Sequence, residues 1–510
     1  MQQLVNTQRY RLQATDLLNF LPPVPRFIEE TGLPYGLIQD LVLRRLFLSG
    51  QISGLELARS LHLPYSGVVE AVLDRLLRDQ LVDFTGGQGY GRAYFDYVLT
   101  EKGRERARDA LERCAYVGPA PVSLTAYTAM IRRQMRDVPR VGQRELDRAF
   151  HDMVLEPAFF ERLGPAVNSV RSLFLYGPSG NGKTSIAERI ATLLRGEIFV
   201  PFAVEVDSQI IQIYDPLVHR RVLPLAAPPP RPAVTDDMER LEATLVGDAS
   251  LEELTEMEEL EDIEEGQTVE VALPRIAQRK EVREDTDGGG GRVLEVPSFD
   301  PRWVLSYRPR IIVGGELTLE DLELTYNATG KFYEAPHQVK ACAGMLLIDD
   351  FGRQKVHPTD LLNRWIVPLE KRIDYLTLKT GKKFELPFDL LIIFSTNLDP
   401  SKLVDEAFLR RIRYKLEVCD PSEEVFRSIF QREAERQGVR FDKNVLEGLI
   451  ARYYRKTGRP LRGCHPRDIL QLVQDHARFQ GCDTTMTRKL VEQSCDSYFC
   501  LLYTSDAADE

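Results

Sequence analysis

The sequence lacks the patterns that mark secreted, zinc-binding and membrane-spanning proteins. Its seven cysteines are scattered, and no two form a Cys-x-x-Cys pair, which argues against a zinc ribbon or a disulfide framework. No apolar run reaches the roughly 18 residues that a transmembrane helix needs. The first residues, MQQLVNTQRYRLQATD, contain no apolar block of a secretory signal. We therefore expect a cytoplasmic protein with reduced thiols and no membrane contact.

Acidic residues are concentrated in one segment instead of being spread over the chain. Residues 236–265 hold 14 Asp or Glu and a single Arg, whereas the net charge of the whole chain is −11. The remaining residues are therefore close to neutral. Because the acidity belongs to one segment, the overall charge says little about what the folded parts bind.

The acidic residues belong to a longer segment of unusual composition. The proline-rich stretch LPLAAPPPRPAV opens this segment and DTDGGGGR closes it. Such composition buries too little apolar surface to offset the entropy of ordering, so we expect 224–294 to be a mostly disordered insertion. A charged helix at 237–262 is an option within it. The composition favours a solvated spacer, and an acidic docking tether is the alternative.

The N-terminal region has the pattern of one small module. Residues 34–115 indicate a periodic helix, a helix–turn–helix pair, an alternating glycine-rich hairpin and a further helix. This order resembles a winged helix-turn-helix, to which we assign residues 1–118. The second helix of the pair, 66–80, mixes arginines with acids, whereas a helix that reads a DNA groove is more basic. A protein-docking or structural role is therefore favoured, and DNA binding is the alternative.

A phosphate-binding loop occurs in the middle of the chain. The stretch LFLYGPSGNGKTSIAERI contains the pattern GxxxxGK[ST], with an apolar strand before it and an amphipathic helix after it. In such a loop backbone N–H groups surround a phosphate, the lysine reaches the β- and γ-phosphates, and the threonine hydroxyl holds Mg²⁺. The residues concerned are Gly177, Pro178, Ser179, Gly180, Asn181, Gly182, Lys183, Thr184 and Ser185. The sequence thus predicts a site for ATP with Mg²⁺.

Two later strands end in polar residues that suit the same site. Four apolar residues, MLLI, lead directly into Asp349 and Asp350, and the strand LLIIFST ends at Asn397. We expect Asp349 to hold Mg²⁺ through water and Asp350 to position or polarise the attacking water. Asn397 can fix that water between Asp350 and the γ-phosphate. An alternating hairpin around Thr380-Gly381 is predicted just before this strand.

The order of these motifs resembles that of the AAA+ ATPases. It runs from the P-loop through the two strand ends to VDEAFLRRIRY and then to GCHPRDIL in a helical region. The resemblance covers about residues 150–495, less the insertion. It implies an α/β fold with a parallel sheet flanked by helices. The core would span 166–420, after a helical linker at 119–165, and a C-terminal helical lid would span 421–499.

The resemblance also implies roles for individual residues. The P-loop corresponds to Walker A, the acidic strand end to Walker B and Asn397 to sensor 1. An arginine finger, which acts on the nucleotide of the neighbouring subunit, is implied at Arg410 or Arg411, and a sensor 2 arginine at Arg467. Arginine suits both roles because its planar fork pairs with phosphate oxygens. For the RRIR stretch, a solvated basic face is the alternative.

One position departs from the family pattern. Most AAA+ members carry Asp-Glu at the end of Walker B, whereas this chain has Asp349-Asp350. The carboxylate of Asp350 falls about 1.3 Å short of that of a glutamate. The initiator and helicase-loader members of the family also carry Asp-Asp and resemble ATP-driven switches more than fast motors. We therefore expect slow hydrolysis.

These features predict an ATP-hydrolysing AAA+ protein that forms a homo-oligomeric ring or arc and remodels a protein client, as a chaperone does. The alternative is a nucleic-acid-bound switch of the helicase-loader or regulator type that uses residues 34–115 on DNA. A third option is a nucleotide-binding protein that does not hydrolyse ATP, because of Asp350.

The last residues, CLLYTSDAADE at 500–510, do not continue the preceding pattern. Their back-translation matches the transposon end and adapter of a common sequencing-library method. We therefore expect 500–510 to be an artefact and Phe499 to be the last genuine residue. An ordinary disordered tail is the alternative.

Overall fold

The computed structural model describes residues 21–87, 91–136, 138, 140–222, 299–403 and 406–499. The predicted insertion at 224–294 and the segment 500–510 lie outside these residues. The chain divides into two units, Met1–Arg221 with Phe299–Glu510, and Val222–Ser298. All elements described below belong to the first unit.

The helices and strands alternate along most of the first unit. The helices are α1 (Tyr35–Ser49), α2 (Gly54–Leu61), α3 (Glu70–Arg78), α4 (Glu101–Arg113), α5 (Leu124–Arg136), α6 (Gln143–Ala149), α7 (Pro157–Ser169), α8 (Lys183–Leu193), α9 (His337–Lys340), α10 (Pro358–Lys371), α11 (Pro400–Leu403), α12 (Glu406–Leu409), α13 (Glu423–Gln437), α14 (Lys443–Ile450), α15 (His465–Gln480) and α16 (Arg488–Phe499). The strands are β1 (Gln51–Ser53), β2 (Val82–Gly87), β3 (Phe95–Leu99), β4 (Val122–Ser123), β5 (Ser172–Tyr176), β6 (Glu197–Pro201), β7 (Ala203–Val206), β8 (Gln209–Gln212), β9 (Trp303–Tyr307), β10 (Arg310–Val313), β11 (Thr325–Asn327), β12 (Phe332–Glu334), β13 (Met345–Ile348), β14 (Ile373–Thr377), β15 (Lys383–Pro387), β16 (Leu391–Thr396) and β17 (Tyr414–Glu417). Shorter helical turns lie at Glu29–Thr31, Tyr65–Val69, Arg92–Tyr94, Glu320–Leu322 and Ala451–Arg455.

A five-stranded sheet in the order β10-β13-β16-β5-β17 lies at the centre of the P-loop region. All four of its pairings are parallel. Every residue of β13 and β16 is buried, as the continuous apolar runs in the sequence indicate for strands covered on both faces. The predicted parallel sheet flanked by helices is therefore confirmed.

The two faces of this sheet pack against different helices. Leu173 and Leu175 on β5 contact the apolar side chains of α6, α7 and α8. Phe174, between them, points to the opposite face and joins the cluster built on α10. Because neighbouring side chains of a strand alternate between faces, one apolar strand fills two cores and holds the loop that follows it rigidly.

A second, mixed sheet has the order β11-β12-β8-β7-β4. It contains both parallel and antiparallel pairs, and the sequence did not predict it. Strand β4 comes from the segment that was predicted as a helical linker. The hairpin β14–β15, predicted around Thr380-Gly381, is present, and its apolar side chains pack in the same cluster as those of this sheet.

The N-terminal region contains α1, β1, α2, α3, β2, β3 and α4, and its strands form an antiparallel sheet in the order β1-β3-β2. Helix α4 begins after Thr100, whose Oγ1 accepts a hydrogen bond from the N–H of Gly103 at 3.0 Å. The helix pair followed by a hairpin is the order that the winged-helix prediction requires. The assignment of residues 1–118 to that class stays a prediction.

A buried arginine joins the N-terminal region to the core. Arg302 pairs with Asp300 at 2.8 Å, and its Nη1 donates to the carbonyl oxygens of Thr31 at 2.9 Å and Pro121 at 3.1 Å. Both charged side chains are almost fully buried, and their mutual pairing offsets the cost of removing the two charges from water. The N-terminal region is therefore packed on the core and not only linked to it by the chain.

Helices α13 to α16 form the C-terminal end of the described chain around their own apolar cluster. Ser422 caps α13 and Asp442 caps α14 through hydrogen bonds to backbone N–H groups. No helix in the described ranges combines the length and the apolar character needed to cross a bilayer.

Phe394 on β16 lies at the centre of a cluster of aromatic rings. We predict that Phe394→Ala lowers the free energy of unfolding by about 3–5 kcal/mol. Its side chain is fully buried, and its ring lies 5.3 to 5.9 Å from the rings of Phe351, Trp365 and Phe174. Denaturant unfolding would measure the change. Phe479→Ala is the matched control, because that side chain is 90% exposed. Equal effects of the two substitutions would contradict this description of the core.

Candidate nucleotide-binding site

The loop between β5 and α8 has a backbone that requires glycine. Gly177, Gly180 and Gly182 have φ angles of +136°, +84° and +79°. At Gly177 an added Cβ would lie 2.3 Å from the carbonyl oxygen of Val418, which follows β17. The loop therefore lies directly against the end of the neighbouring strand, and any side chain at Gly177 would separate them.

Lys183 begins α8 and points back into this loop. Its Nζ donates to the carbonyl oxygens of Gly177 and Pro178, both at 2.9 Å. Burial lowers the pKa of Lys183, while the charges of Asp349 and Asp350 raise it. The charges of the two acids that directly follow β13 therefore act on this ammonium group.

Thr184 and Asp349 meet across the sheet. Thr184 Oγ1 donates to Asp349 Oδ2 at 2.6 Å, and the two residues are 165 positions apart in the sequence. Asp349 directly follows β13, and its backbone N–H donates to the carbonyl of Val313 on the edge strand β10 at 2.8 Å. The structure therefore brings together the two residues that the sequence assigned to Mg²⁺.

Asp350 and Asn397 form the second polar pair. Asn397 Nδ2 donates to Asp350 Oδ1 at 2.9 Å. The backbone of Asp350 is left-handed, with φ of +48°, and the next residue, Phe351, donates its N–H to the carbonyl of Ser395 on β16 at 2.7 Å. The predicted sensor 1 residue and the second Walker B acid are therefore in direct contact.

The other predicted P-loop residues divide into two kinds. Ser179 and Ser185 are exposed at the surface of the loop and of the first turn of α8. Asn181 is buried and makes two hydrogen bonds outside the loop: its Nδ2 donates to Asp420 Oδ1 at 2.7 Å, and its Oδ1 accepts from the N–H of Gly463 at 2.9 Å. Asn181 therefore connects the P-loop to the C-terminal helices.

The sequence analysis missed the residues on the other side of this connection. Arg462 pairs with Asp420 through its Nη1, and the N–H of Cys464 donates to the carbonyl of Gly180 at 2.8 Å. The only signal in the sequence is that Arg462 and Cys464 lie within five residues of the predicted Arg467. The turn before α15 thus lies directly on the P-loop.

Arg467, the predicted sensor 2 residue, has other contacts in this structure. Its Nε donates to Asp468 Oδ1 at 2.9 Å, and its side chain is 59% exposed. The arginine whose charge acts on Lys183 is Arg462, which lowers the pKa of that lysine. The role of Arg467 stays a prediction.

Arg410 and Arg411, the predicted finger residues, lie where the parallel strands begin, whereas the P-loop lies where they end. They precede β17, whose first residue pairs with the start of β5, whereas the P-loop follows the end of β5. Arg411 Nε pairs with Glu370 on α10 at 2.6 Å. Both arginines line a cavity of about 340 Å³ whose other cationic residues are Arg171, Arg372, Arg413 and Lys415. The structure does not bring these arginines to the P-loop of their own chain.

Comparisons with known proteins match separate parts of the chain. A family described as a domain of unknown function (DUF8689) matches residues 422–497, the region of α13 to α16. The vesicle-fusing ATPase of Dictyostelium discoideum is 47% identical over 49 residues, which is 10% of this chain and 6% of that protein.

Two solved structures align with larger parts of the chain. NtrX from Brucella abortus is 13% identical over 68% of this chain and 57% of its own, with a TM-score of 0.35. RuvB from Thermotoga maritima, described as a Holliday junction branch migration motor, is 12% identical over 71% of this chain and 73% of its own, with a TM-score of 0.31. At these TM-scores neither likeness bears on function.

The parallel sheet, the P-loop at the end of β5 and the acidic end of β13 match the architecture of an AAA+ core. The short match to a vesicle-fusing ATPase agrees with this assignment.

Proposed function

We propose that the chain binds ATP with Mg²⁺ and hydrolyses it to ADP and phosphate. One observation carries this proposal: Lys183, Thr184, Asp349, Asp350 and Asn397 converge from the ends of three elements, linked by the two hydrogen bonds described above. In P-loop ATPases these residue types hold the phosphates, the metal and the attacking water.

The donor set suits a magnesium-bound triphosphate. Thr184 and Asp349 offer hydroxyl and carboxylate oxygens, which Mg²⁺ prefers, and the ammonium of Lys183 suits the β- and γ-phosphates. At Gly177 an added Cβ would lie 2.3 Å from the carbonyl oxygen of Val418, so glycine is needed to keep the loop against the end of β17. When bound, ATP supplies the bond that hydrolysis breaks, and Mg²⁺ offsets the charge on its phosphate oxygens.

Asp350 is our candidate for the residue that orients the water and accepts its proton. Asn397 holds one oxygen of this carboxylate at 2.9 Å, which restricts the rotation of the side chain. Because the aspartate is shorter than the usual glutamate, we propose slow turnover that couples nucleotide state to a conformational change.

We further propose that the client is a protein, remodelled as a chaperone remodels its substrate. Arg75, on the second helix of the N-terminal pair, lies with its guanidinium 4.5 Å from the ring centroid of Tyr35. Arg78 Nε donates to the carbonyl oxygen of Asp74, and the carboxylate of Asp74 pairs with Arg92. The basic groups of this helix are engaged within the module, which supports a docking role over groove reading. A DNA-bound AAA+ switch is the second candidate.

The position of Arg410 and Arg411 supports a shared active site. The strand β5, which separates them from the P-loop, spans roughly 13–16 Å at the usual rise per residue. An arginine at the start of these strands can therefore reach only a nucleotide that is bound to another subunit. We therefore propose that the chain acts as a ring or arc in which each finger completes the neighbouring site.

Lys183→Ala should abolish ATP binding, because the triphosphate loses its cationic partner inside the loop. Titration with a fluorescent ATP analogue, followed by thermal shift with and without ATP, would measure this. Lys456→Ala is the matched control, since Lys456 is an exposed lysine in the turn that follows Ala451–Arg455. An unchanged affinity in Lys183→Ala would refute the P-loop assignment.

Arg410→Ala or Arg411→Ala should bind ATP normally and hydrolyse it on the order of 10³-fold more slowly, the scale of an arginine finger. Mixing the affected variant with Lys183→Ala should restore some activity at interfaces where an intact loop meets an intact finger. The restored rate should depend on the mixing ratio and vanish on dilution. A rate that is independent of protein concentration in every mixture would mean that the site is complete within one chain.

Titration of the full chain with duplex DNA at several salt concentrations distinguishes the protein-client proposal from the DNA-bound switch. For a protein client we expect weak binding that Arg75→Ala with Arg78→Ala does not change, because those arginines are engaged within the module. Tight binding that falls steeply with salt and weakens in the double variant would favour the DNA-bound switch.

A further inference from the structure

The turn that follows β13 is held together by the side-chain amide of Gln354. Its Nε2 donates to the carbonyl oxygen of Asp349 at 3.0 Å and to that of Asp350 at 3.3 Å. Its Oε1 accepts a hydrogen bond from the N–H of Gly352 at 2.8 Å. The donor side and the acceptor side of this half-buried amide are therefore both bonded to the backbone of the same short turn.

This turn needs support because two of its residues have a left-handed backbone. Asp350 has a φ of +48° and Gly352 has a φ of +100°. A positive φ is strained for a residue with a side chain, so contacts around Asp350 must hold it in place. The parallel pairings of β13 end at Ile348, one residue before the carbonyl groups that Gln354 binds. The amide therefore supplies the donor that a neighbouring strand supplies within the sheet.

The amide matters for chemistry because of the side chains that this turn carries. Asp350 is our candidate for the residue that orients the attacking water, and Asn397 holds one of its carboxylate oxygens at 2.9 Å. Asn397 acts on the carboxylate, whereas Gln354 acts on the backbone from which that carboxylate projects. The two contacts therefore restrict the side-chain and the backbone torsion angles of the same residue.

We propose that Gln354 is a positioning residue for ATP hydrolysis, which holds Asp350 in the backbone conformation that directs its carboxylate to the attacking water. The amide is engaged by the turn, so it acts through Asp350 and not on the nucleotide. This proposal rests on the proposed function and adds a residue to it. A displacement of about 1 Å can slow an enzymatic reaction on the order of 100-fold, so a turn that relaxes without Gln354 should slow hydrolysis.

A contribution to the stability of the turn alone is the simpler role for Gln354. Loss of its amide would then lower the thermal midpoint and leave the rate of the folded protein unchanged. A positioning role predicts a lower kcat at temperatures well below that midpoint, with the affinity for ATP retained. The affinity should be retained because Lys183 and the contact between Thr184 and Asp349 do not involve the amide.

The first experiment measures kcat, the affinity for ATP with Mg²⁺ and the thermal midpoint of the full chain. We expect Gln354→Ala to lower kcat between about tenfold and about 100-fold and to leave the affinity nearly unchanged. Gln354→Glu keeps an acceptor for Gly352 but places a carboxylate oxygen against two carbonyl groups, so kcat should fall at least as far. Gln431→Ala is the matched control, because Gln431 is an exposed glutamine of α13 whose amide donates to Glu435.

A double variant shows through which residue Gln354 acts. Asp350→Asn alone should lower kcat on the order of 100-fold or more, because the group that accepts the proton is lost. If Gln354 acts through that carboxylate, the two effects are not additive. Gln354→Ala added to Asp350→Asn should then lower kcat no further.

Two outcomes would overturn the inference. Gln354→Ala could hydrolyse ATP at the wild-type rate with only a lower thermal midpoint, or its effect on kcat could be as large beside Asp350→Asn as in the wild-type chain. Asp350→Asn separates the levels of failure. If that variant is slow while Gln354→Ala is not, this inference fails alone. If Asp350→Asn hydrolyses ATP normally, or the wild-type chain does not hydrolyse it, the proposed function fails as well.

Discussion

The close approach of the P-loop to the end of β17 is the contact on which the site depends. The N–H of Val418 donates to the carbonyl of Tyr176 at 2.8 Å, and its own carbonyl occupies the space where a side chain on Gly177 would be. Because glycine is present there, the chain after β17 stays against the loop for two more residues, as far as Asp420. The carboxylate of Asp420 can then reach Asn181, and through it the C-terminal helices meet the nucleotide-binding loop.

The parts of the fold that the sequence predicts are those with a strong local signal. Strands β13 and β16 are continuous apolar runs, the P-loop has a fixed spacing of glycines, and the hairpin has a Thr-Gly turn. The second sheet carries no such signal, because its strands are two to four residues long and pair across distant segments. The stretch EIFVPFAVEV is one largely apolar run in the sequence. The structure divides it at Phe202 into β6 and β7, which belong to different sheets.

The residues of the candidate site also differ in whether the sequence carries a local signal for them. Thr184, Asp349, Asp350 and Asn397 each end or begin an apolar element, and parallel strands bring such ends to one edge of a sheet. The contact between Asp420 and Arg462 joins residues 42 positions apart that lie in turns, and turns have no periodicity from which a partner can be inferred. The sequence favoured Arg467 because it stands at a helix start, whereas in the structure Arg462 is the residue that pairs with Asp420 beside the loop.

The left-handed backbone of Asp350 offers a physical reason for the departure from Asp-Glu. Outside glycine, Asn and Asp adopt a positive φ several-fold more readily than other residues, so a φ of +48° favours aspartate over glutamate at this position. The conformation lets the N–H of Phe351 bond to Ser395, which joins β13 to β16 one residue beyond the strand end. A tightly turned backbone also directs the carboxylate to Asn397. The shorter acid has less reach than a glutamate, but its orientation is fixed by Asn397. A fixed but distant carboxylate is consistent with the slow turnover that we propose.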